Sequence, residues 1–410
     1  MATNCLHQDY TVAWLCALPC EMAGAEAMLD EKHSDLPTAT EDDNTYILGR
    51  VYSHNVVIAC CRSGVYGTTS ASTCAIQLQA TFRSIRFFLL VGIGGGAPTD
   101  KADIRLGDVV VSKPTREFGG VVQYDYGKTM SRGRSVRTGL LNKPRSVLLT
   151  ALARLEAAHK QAPSKIPALL AEMVERNPGM GEKFTYQGKG QDFLFDSEYD
   201  HDAESDTCDD CDTARQVIRP DRLNSDPVVH YGLIASGNQV IKHAPTRDKL
   251  ARELGILCFE MEAAGVMDDF QCLVVRGICD YSDSHKNKQW QEYAAATAAA
   301  FAKELLSVIH AVHMVDTPPA VSRYRGSAPY GRERATTDMI SRGRDIGGLA
   351  DLLPRISDYD EKNVHRRLLQ KRLVGTTQWF LDHPNFKAWF TDRTISSLWC
   401  SGKSKCSGKV

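Results

Sequence analysis

Apolar and polar positions alternate along this chain in blocks that can be assigned to elements. Residues 9–18 (Asp-Tyr-Thr-Val-Ala-Trp-Leu-Cys-Ala-Leu) are almost unbroken in apolar character and rich in β-formers, as in a strand buried on both faces. Pro19 follows where a first helical turn tolerates it, and residues 21–29 continue as a helix. Strands are expected over 45–51 and 55–61, joined at Ser53-His54. A loop, Ser63-Gly64-Val65-Tyr66-Gly67, then leads into a helix ending near Leu78. The apolar strand 86–91 runs into Gly92-Ile93-Gly94-Gly95-Gly96, and 106–111 is the next strand.

Between about residues 132 and 226 the pattern changes. A helix over 146–159 gives way to a polar, acidic segment at 197–212, which reads as an inserted loop. Alternation resumes with a strand at 230–236, continues through a strand at 273–278, and ends in an Ala-rich helix over 290–313. Strands alternating with helices predict an α/β domain over residues 8–315. Residues 316–358 carry Pro, Ser, Gly and Arg without periodicity and read as a linker; 359–410 read as a basic helical tail.

Composition narrows the function classes. A net charge of -1 gives no field to recruit a nucleic acid polymer or an anionic membrane. No apolar run approaches the ~20 residues that span a bilayer, and residues 1–10 lack the basic and apolar regions of a signal peptide. The cysteines number 13, which is odd, and Cys16, Cys60, Cys61, Cys258, Cys272 and Cys279 lie in apolar runs, as reduced thiols of a cytoplasmic protein do.

The chemistry concentrates in Cys258-Phe259-Glu260-Met261-Glu262 and Leu273-Val274-Val275-Arg276-Gly277-Ile278-Cys279-Asp280. If 259–262 is extended, Glu260 and Glu262 share a face and can accept both hydroxyls of a vicinal diol. The same residues also read as the acidic first turn of a helix. Asp280, at the end of the following strand, is placed beside them as a general acid, or else as a turn residue. Glu21, after the first strand, is placed to activate a water, or else is a helix N-terminal acid. Gly92, Gly94 and Ala97 match a dinucleotide fingerprint, but Pro98 disfavours the helix it requires, which argues against a dehydrogenase. Instead Gly94 and Gly95, and separately Gly64, read as loop positions where backbone meets a sugar or phosphate. No cofactor is expected. His201, Cys208 and Cys211 have a partial zinc-ligand pattern, one short of four ligands, and read more simply as a loop with two reduced thiols.

Taken in order, several motifs resemble a known family. They are Val12-Ala13-Trp14-Leu15-Cys16-Ala17-Leu18-Pro19-Cys20-Glu21, Ser63-Gly64, Val91-Gly92-Ile93-Gly94-Gly95-Gly96, Ile104-Arg105-Leu106-Gly107-Asp108-Val109-Val110-Val111-Ser112, Ala235-Ser236-Gly237-Asn238-Gln239-Val240-Ile241, Phe259-Glu260-Met261-Glu262-Ala263 and Arg276-Gly277-Ile278-Cys279-Asp280. Over residues 9–313 the chain resembles the purine nucleoside phosphorylase/uridine phosphorylase superfamily, in its nucleosidase-like branch. It is similar in particular to the nucleoside-phosphorylase-like domain at the N-terminus of fungal NLR-type proteins. The resemblance implies a three-layer, mixed-sheet α/β domain that cleaves the N-glycosidic bond of a purine nucleoside or nucleotide, such as AMP or ATP, and assembles as a homo-oligomer.

It further implies that Glu262 and Glu260 hold the ribose hydroxyls, that Met261 packs on the sugar, and that Asp280 protonates purine N7. The backbone at Val240 and Ile241 would meet the base, and Glu21 would orient the attacking water. No arginine stands beside Glu21, which tilts the expectation toward hydrolysis. Phosphorolysis, with Arg62, Thr68 or Arg105 on phosphate, and a non-catalytic purine sensor are the rivals. The chain departs from the nucleosidases in carrying Asn238 and Val240 in the base-binding loop. It also has a basic loop after Asp280, which offers His285, Lys286 and Lys288 to substrate phosphates or is a solvated surface loop. The last residues resemble a degenerate P-loop, with five residues between Gly402 and Gly408 and Val410 where a Mg²⁺-binding hydroxyl belongs.

Overall fold

The computed structural model describes residues 5–131, 135–201, 208, 210–286 and 288–310. The chain divides into two units, Met1–Gly326 and Ser327–Val410. The expected linker, helical tail and P-loop-like end lie outside the described residues, as does the far end of the predicted Ala-rich helix.

In chain order the first unit contains β1 (Val12–Cys16), α1 (Pro19–Ala27), β2 (Glu31–Lys32), β3 (Tyr46–Val51), β4 (His54–Cys60), α2 (Thr68–Thr81), β5 (Phe87–Gly96) and β6 (Val109–Ser112). There follow β7 (Val121–Gln123), β8 (Gly127–Thr129), β9 (Ser135–Arg137), α3 (Ser146–His159), α4 (Ile166–Arg176) and β10 (Val229–Ser236). The last elements are α5 (Ala244–Leu254), β11 (Ile256–Glu260), α6 (Met267–Phe270), β12 (Leu273–Asp280) and α7 (Gln291–Val308). A mixed sheet of 10 strands runs β11-β10-β6-β12-β5-β1-β4-β3-β2, with β7 added on β10, while β8 and β9 form a separate hairpin.

Period-two alternation in β1 fixes the layers. Val12, Trp14 and Cys16 enter the core shared with α1, α3, α4 and most of α7, whereas Ala13 and Leu15 enter the one shared with α2 and α6. The sheet is therefore covered on both faces, giving the expected three layers. Both faces being buried also explains why β1 and β5 read as continuous apolar runs.

One further pairing positions the site. The end of β11 folds back antiparallel onto β5, with Cys258 opposite Gly96 and Phe259 opposite Gly95. This closes β11, β10, β6, β12 and β5 into a ring and gathers the carboxyl ends of β5, β11 and β12. The glycine run is thus strand and not loop, correcting the expectation for Gly94 and Gly95: β5 pairs with β12 through Arg276↔Gly92, Ile278↔Gly94 and Asp280↔Gly95. β11 stops at Glu260, and Glu262 is already helical in conformation (φ -115°, ψ -38°), so the two glutamates do not share a strand face.

Candidate active site

A cavity of about 300 Å³ opens where those strand ends meet. Its wall takes Ala17, Leu18 and Glu21 from the β1–α1 junction, Gly94 and Gly95 from β5, and Gln239, Val240 and Ile241 from the segment after β10. Phe259 to Glu262 follow from β11 and its end, Asp280 and Ser282 from the end of β12, and Lys286 and Lys288 beyond it. Tyr66 leans in from the loop before α2.

Glu21 reaches the cavity because α1 begins at Pro19 and places it in the first turn, where a carboxylate reaches back to free amides. Its Oε2 accepts the N–H of Ala17 at 2.6 Å and of Leu18 at 3.0 Å, and its Oε1 accepts that of Ile93 at 2.8 Å. Burial pushes its carboxyl up from the ordinary range, against the pull of Arg276 and these amides.

Glu260 and Glu262 have different surroundings. Glu260 accepts the N–H of Glu262 at 3.1 Å and of Ala263 at 3.0 Å, and is in contact with the Arg276 guanidinium, so its oxygens are largely committed. Glu262 receives weaker bonds, from Gly67 N–H at 3.4 Å and Arg276 Nη2 at 3.3 Å, which leaves it the more available acceptor. Burial, with Arg276 opposing and Glu260 and Glu21 adding, pushes the Glu262 carboxyl up to about 7.

Asp280 closes the opposite wall. Its Oδ1 accepts the N–H of Ser282 at 2.9 Å, and its Oδ2 lies 3.0 Å from the Lys286 ammonium. Burial works to lower the Lys286 ammonium, but Asp280 and its neighbours together raise it, so Lys286 stays charged. Ser282 adopts a left-handed backbone (φ 53°), unusual for a residue with a side chain, and turns the chain back over the cavity. The glycines of β5 make this packing fit. A side chain at Gly92 would collide with Glu21 Oε1 and Arg276 Nη1, and one at Gly95 would stand 2.6 Å from Asp280 Oδ1.

Of the residues singled out in the sequence, the structure brings Glu21, Gly94, Gly95, Val240, Ile241, Glu260, Met261, Glu262, Asp280, Lys286 and Lys288 to one cavity. Two are placed elsewhere. Gly64 has open space around it, and it is Gly67, three residues on, whose amide meets Glu262. His285 turns away and stacks on Phe195 at 4.0 Å, because its neighbour Lys286 takes the inward position beside Asp280. The rival phosphate contacts are engaged outside the cavity: Arg62 with Asp43 at 3.1 Å, Arg105 with Asp103 at 2.8 Å, and Thr68 with Asn238 at 3.2 Å. Sequence reasoning gave no role to Arg276, which is 1% exposed and touches Glu21, Glu260 and Glu262. It also passed over Tyr66, the cavity aromatic inside the very loop read for its glycines.

The chain is 44% identical over 329 residues to a nucleotide-binding leucine-rich repeat (NLR)-like protein of Hyaloscypha variabilis, across 79% of this chain and 31% of that relative. It thus spans less than a third of that relative's length. It is 25% identical over 308 residues to a 5'-methylthioadenosine/S-adenosylhomocysteine nucleosidase of Mycobacterium bovis, across 73% of this chain and 96% of the relative. Among solved structures, futalosine hydrolase of Helicobacter pylori superposes with a TM-score of 0.47 at 16% identity, covering 74% of this chain and 99% of the other. A family model describing the phosphorylase superfamily matches residues 11–312. With that span taking in every wall of the cavity, the chain belongs to the phosphorylase superfamily.

Proposed function

We propose that this domain hydrolyses the N-glycosidic bond of a purine nucleoside or nucleotide. The observation that carries the reading is the placement of Glu21, a buried carboxylate held by three backbone amides in the same cavity as Asp280. Departure of the base breaks the C1′–N9 bond and leaves its electron pair on the purine. Asp280, the carboxylate of an ion pair with Lys286, takes up a proton from solvent as substrate displaces the ammonium and passes it to N7, neutralising that charge. The sugar meanwhile develops oxocarbenium character beside Glu262. Glu21 orients a water toward C1′ and takes its proton, giving the free base and ribose, or ribose phosphate from a nucleotide. A purine N7 that reaches Asp280 Oδ2 competes with Lys286 for the same oxygen. The displaced ammonium, with Lys288 nearby, is then available to the phosphates of a substrate such as AMP or ATP.

The Glu21 end of the cavity favours water over phosphate. Its nearest cation among the described residues, Arg276, is committed to carboxylates, so an incoming anion would meet Glu21 without a free counter-charge. Phosphorolysis and a purine-sensing role without turnover are the competing readings, and either is compatible with a place as the effector domain of an NLR-like protein. The test is base release from adenosine, inosine, guanosine, AMP and ATP, with and without inorganic phosphate. Free ribose or ribose phosphate at a phosphate-independent rate is expected. Formation of ribose 1-phosphate would overturn hydrolysis, and tight binding without base release would favour the sensor.

Glu262 gives this reaction a pH signature. The ionised carboxylate accepts both hydroxyls of the diol, so KM should fall as pH rises through about 7. Stability should move the other way. A carboxyl raised in the folded state stabilises fully below its unfolded value, and that contribution is lost as pH rises through about 7. Glu262→Gln should flatten the KM profile and lower kcat/KM by about 10- to 100-fold, the worth of a charged hydrogen bond. Initial rates across pH test this, and a variant profile superimposable on that of the parent would refute the role.

A further inference from the structure

We propose that His201, Cys208 and Cys211 hold a zinc ion, with His285 as the fourth ligand, and that this ion staples the inserted segment to the loop carrying Lys286. The candidate ligand atoms of His201, Cys208 and Cys211 all lie within 4.8 Å of one another. His201 Nδ1 is 3.1 Å from Cys211 Sγ, and neither thiol is in a disulfide. Tetrahedral zinc with Zn–S of about 2.3 Å and Zn–N of about 2.0–2.1 Å places its ligand atoms roughly 3.5–4 Å apart, so the cluster closes on an ion with small side-chain movements. Two cysteines separated by two residues are a recurring half of such sites.

His285 supplies the independent observation. Its side chain is 4% exposed, and its Nε2 makes no hydrogen bond among the described residues. Its ring lies 5.4 Å from that of His201, and Cys208 Sγ lies 3.7 Å from its carbonyl oxygen. A buried imidazole nitrogen without a partner is costly. His285 stands outside the group of three whose ligand atoms lie within 4.8 Å of one another, so its ring must move toward His201 on metal binding, which relieves that cost and completes a four-ligand structural site. The two segments already meet here: the N–H of His201 donates to Ser284 Oγ at 2.9 Å, and Ser284 Oγ donates to Asp200 Oδ1 at 3.2 Å. Coordination would fix the segment from Asp283 to Lys286 and, through it, the ammonium that pairs with Asp280.

The full chain, purified under reducing conditions from zinc-supplemented medium, should carry about one zinc per chain by elemental analysis, as a four-ligand site requires. Cobalt exchanged into the site should show a thiolate charge-transfer band, absent in Cys211→Ser. His285→Ala should weaken zinc binding by at least about 10-fold, the loss expected even for a partner outside the ligand set, while retaining the thiolate band. Chelation should speed hydrogen exchange across the peptide containing Asp283 to Lys286. Absence of stoichiometric zinc in the folded parent chain, or equal zinc in Cys211→Ser, would overturn the site. Unchanged affinity in His285→Ala would overturn the fourth ligand.

Discussion

Asp280→Asn should release purine base about 10²- to 10⁴-fold more slowly than the parent chain, the contribution expected from a positioned general acid. The substitution changes almost nothing in shape. Asn fills the same volume, and its carbonyl can still accept the Ser282 N–H, as Asp280 Oδ1 does at 2.9 Å. What it lacks is a proton to give. It also turns an amide toward Lys286, which sits 3.0 Å from Oδ2, so a largely buried ion pair is lost and the ammonium keeps its desolvation penalty, at a cost of about 3 kcal/mol. The melting temperature should therefore fall by roughly 5–10 °C, while the chain stays folded at assay temperature and calorimetric binding of the substrate persists. A kcat defect with binding and fold retained separates proton donation from simple site collapse. Turnover within about fivefold of the parent, well short of the expected general-acid contribution, would remove Asp280 from the mechanism.

The sequence carried the site's acids well because each stands at the end of an apolar strand, and strand ends in an α/β sheet converge. β1 and β12 could be read from their runs, and α3 from the spacing of Leu148, Leu152 and Leu155, all buried. Other helices were hidden. α5 buries only Ala244, Arg247 and Ala251, so its charged face conceals the period. α4 has the signal, with Ile166, Leu169 and Met173 buried at helical spacing, but it falls between the expected helix over 146–159 and the inserted loop at 197–212, a stretch to which the sequence reading assigns no element. The glycine run was misread for a physical reason. A strand whose alternate positions must admit side chains from neighbouring strands looks, in one dimension, like a loop that admits a ligand. The pairing of Gly92 with Arg276 and of Gly95 with Asp280 shows that the glycines make room for the protein's own acids and arginine, while Gly94 and Gly95 also line the cavity. The partner of three carboxylates drawn from distant positions cannot be assigned without that pairing.

Arg276 is accordingly the residue whose loss should cost most in stability. Its guanidinium contacts Glu260, lies 3.3 Å from Glu262 and 3.9 Å from Glu21, and is buried with them. Replacing it with Met keeps much of the volume but strands three carboxylates in a low-dielectric pocket. Removing one partner of a buried ion cluster typically costs about 3–5 kcal/mol, because the remaining charges keep their desolvation penalty without compensation. The loss should depend on pH in a defined sense. Glu21 and Glu262 are already raised in the parent, and losing Arg276 raises them further. Acids that take up protons on folding stabilise the fold below their unfolded values, and this contribution disappears as pH rises through their folded ones. Arg276→Met should therefore be penalised more at pH ~8 than at pH ~5.5, measured by urea unfolding at both. Adding Glu260→Gln to Arg276→Met removes one stranded charge and should recover part of the loss at the higher pH, whereas in the parent Glu260→Gln leaves Arg276 short of a partner and should destabilise. A penalty equal at both pH values, with no recovery in the double variant, would mean that Arg276 serves by packing alone and that the carboxylates do not depend on its charge.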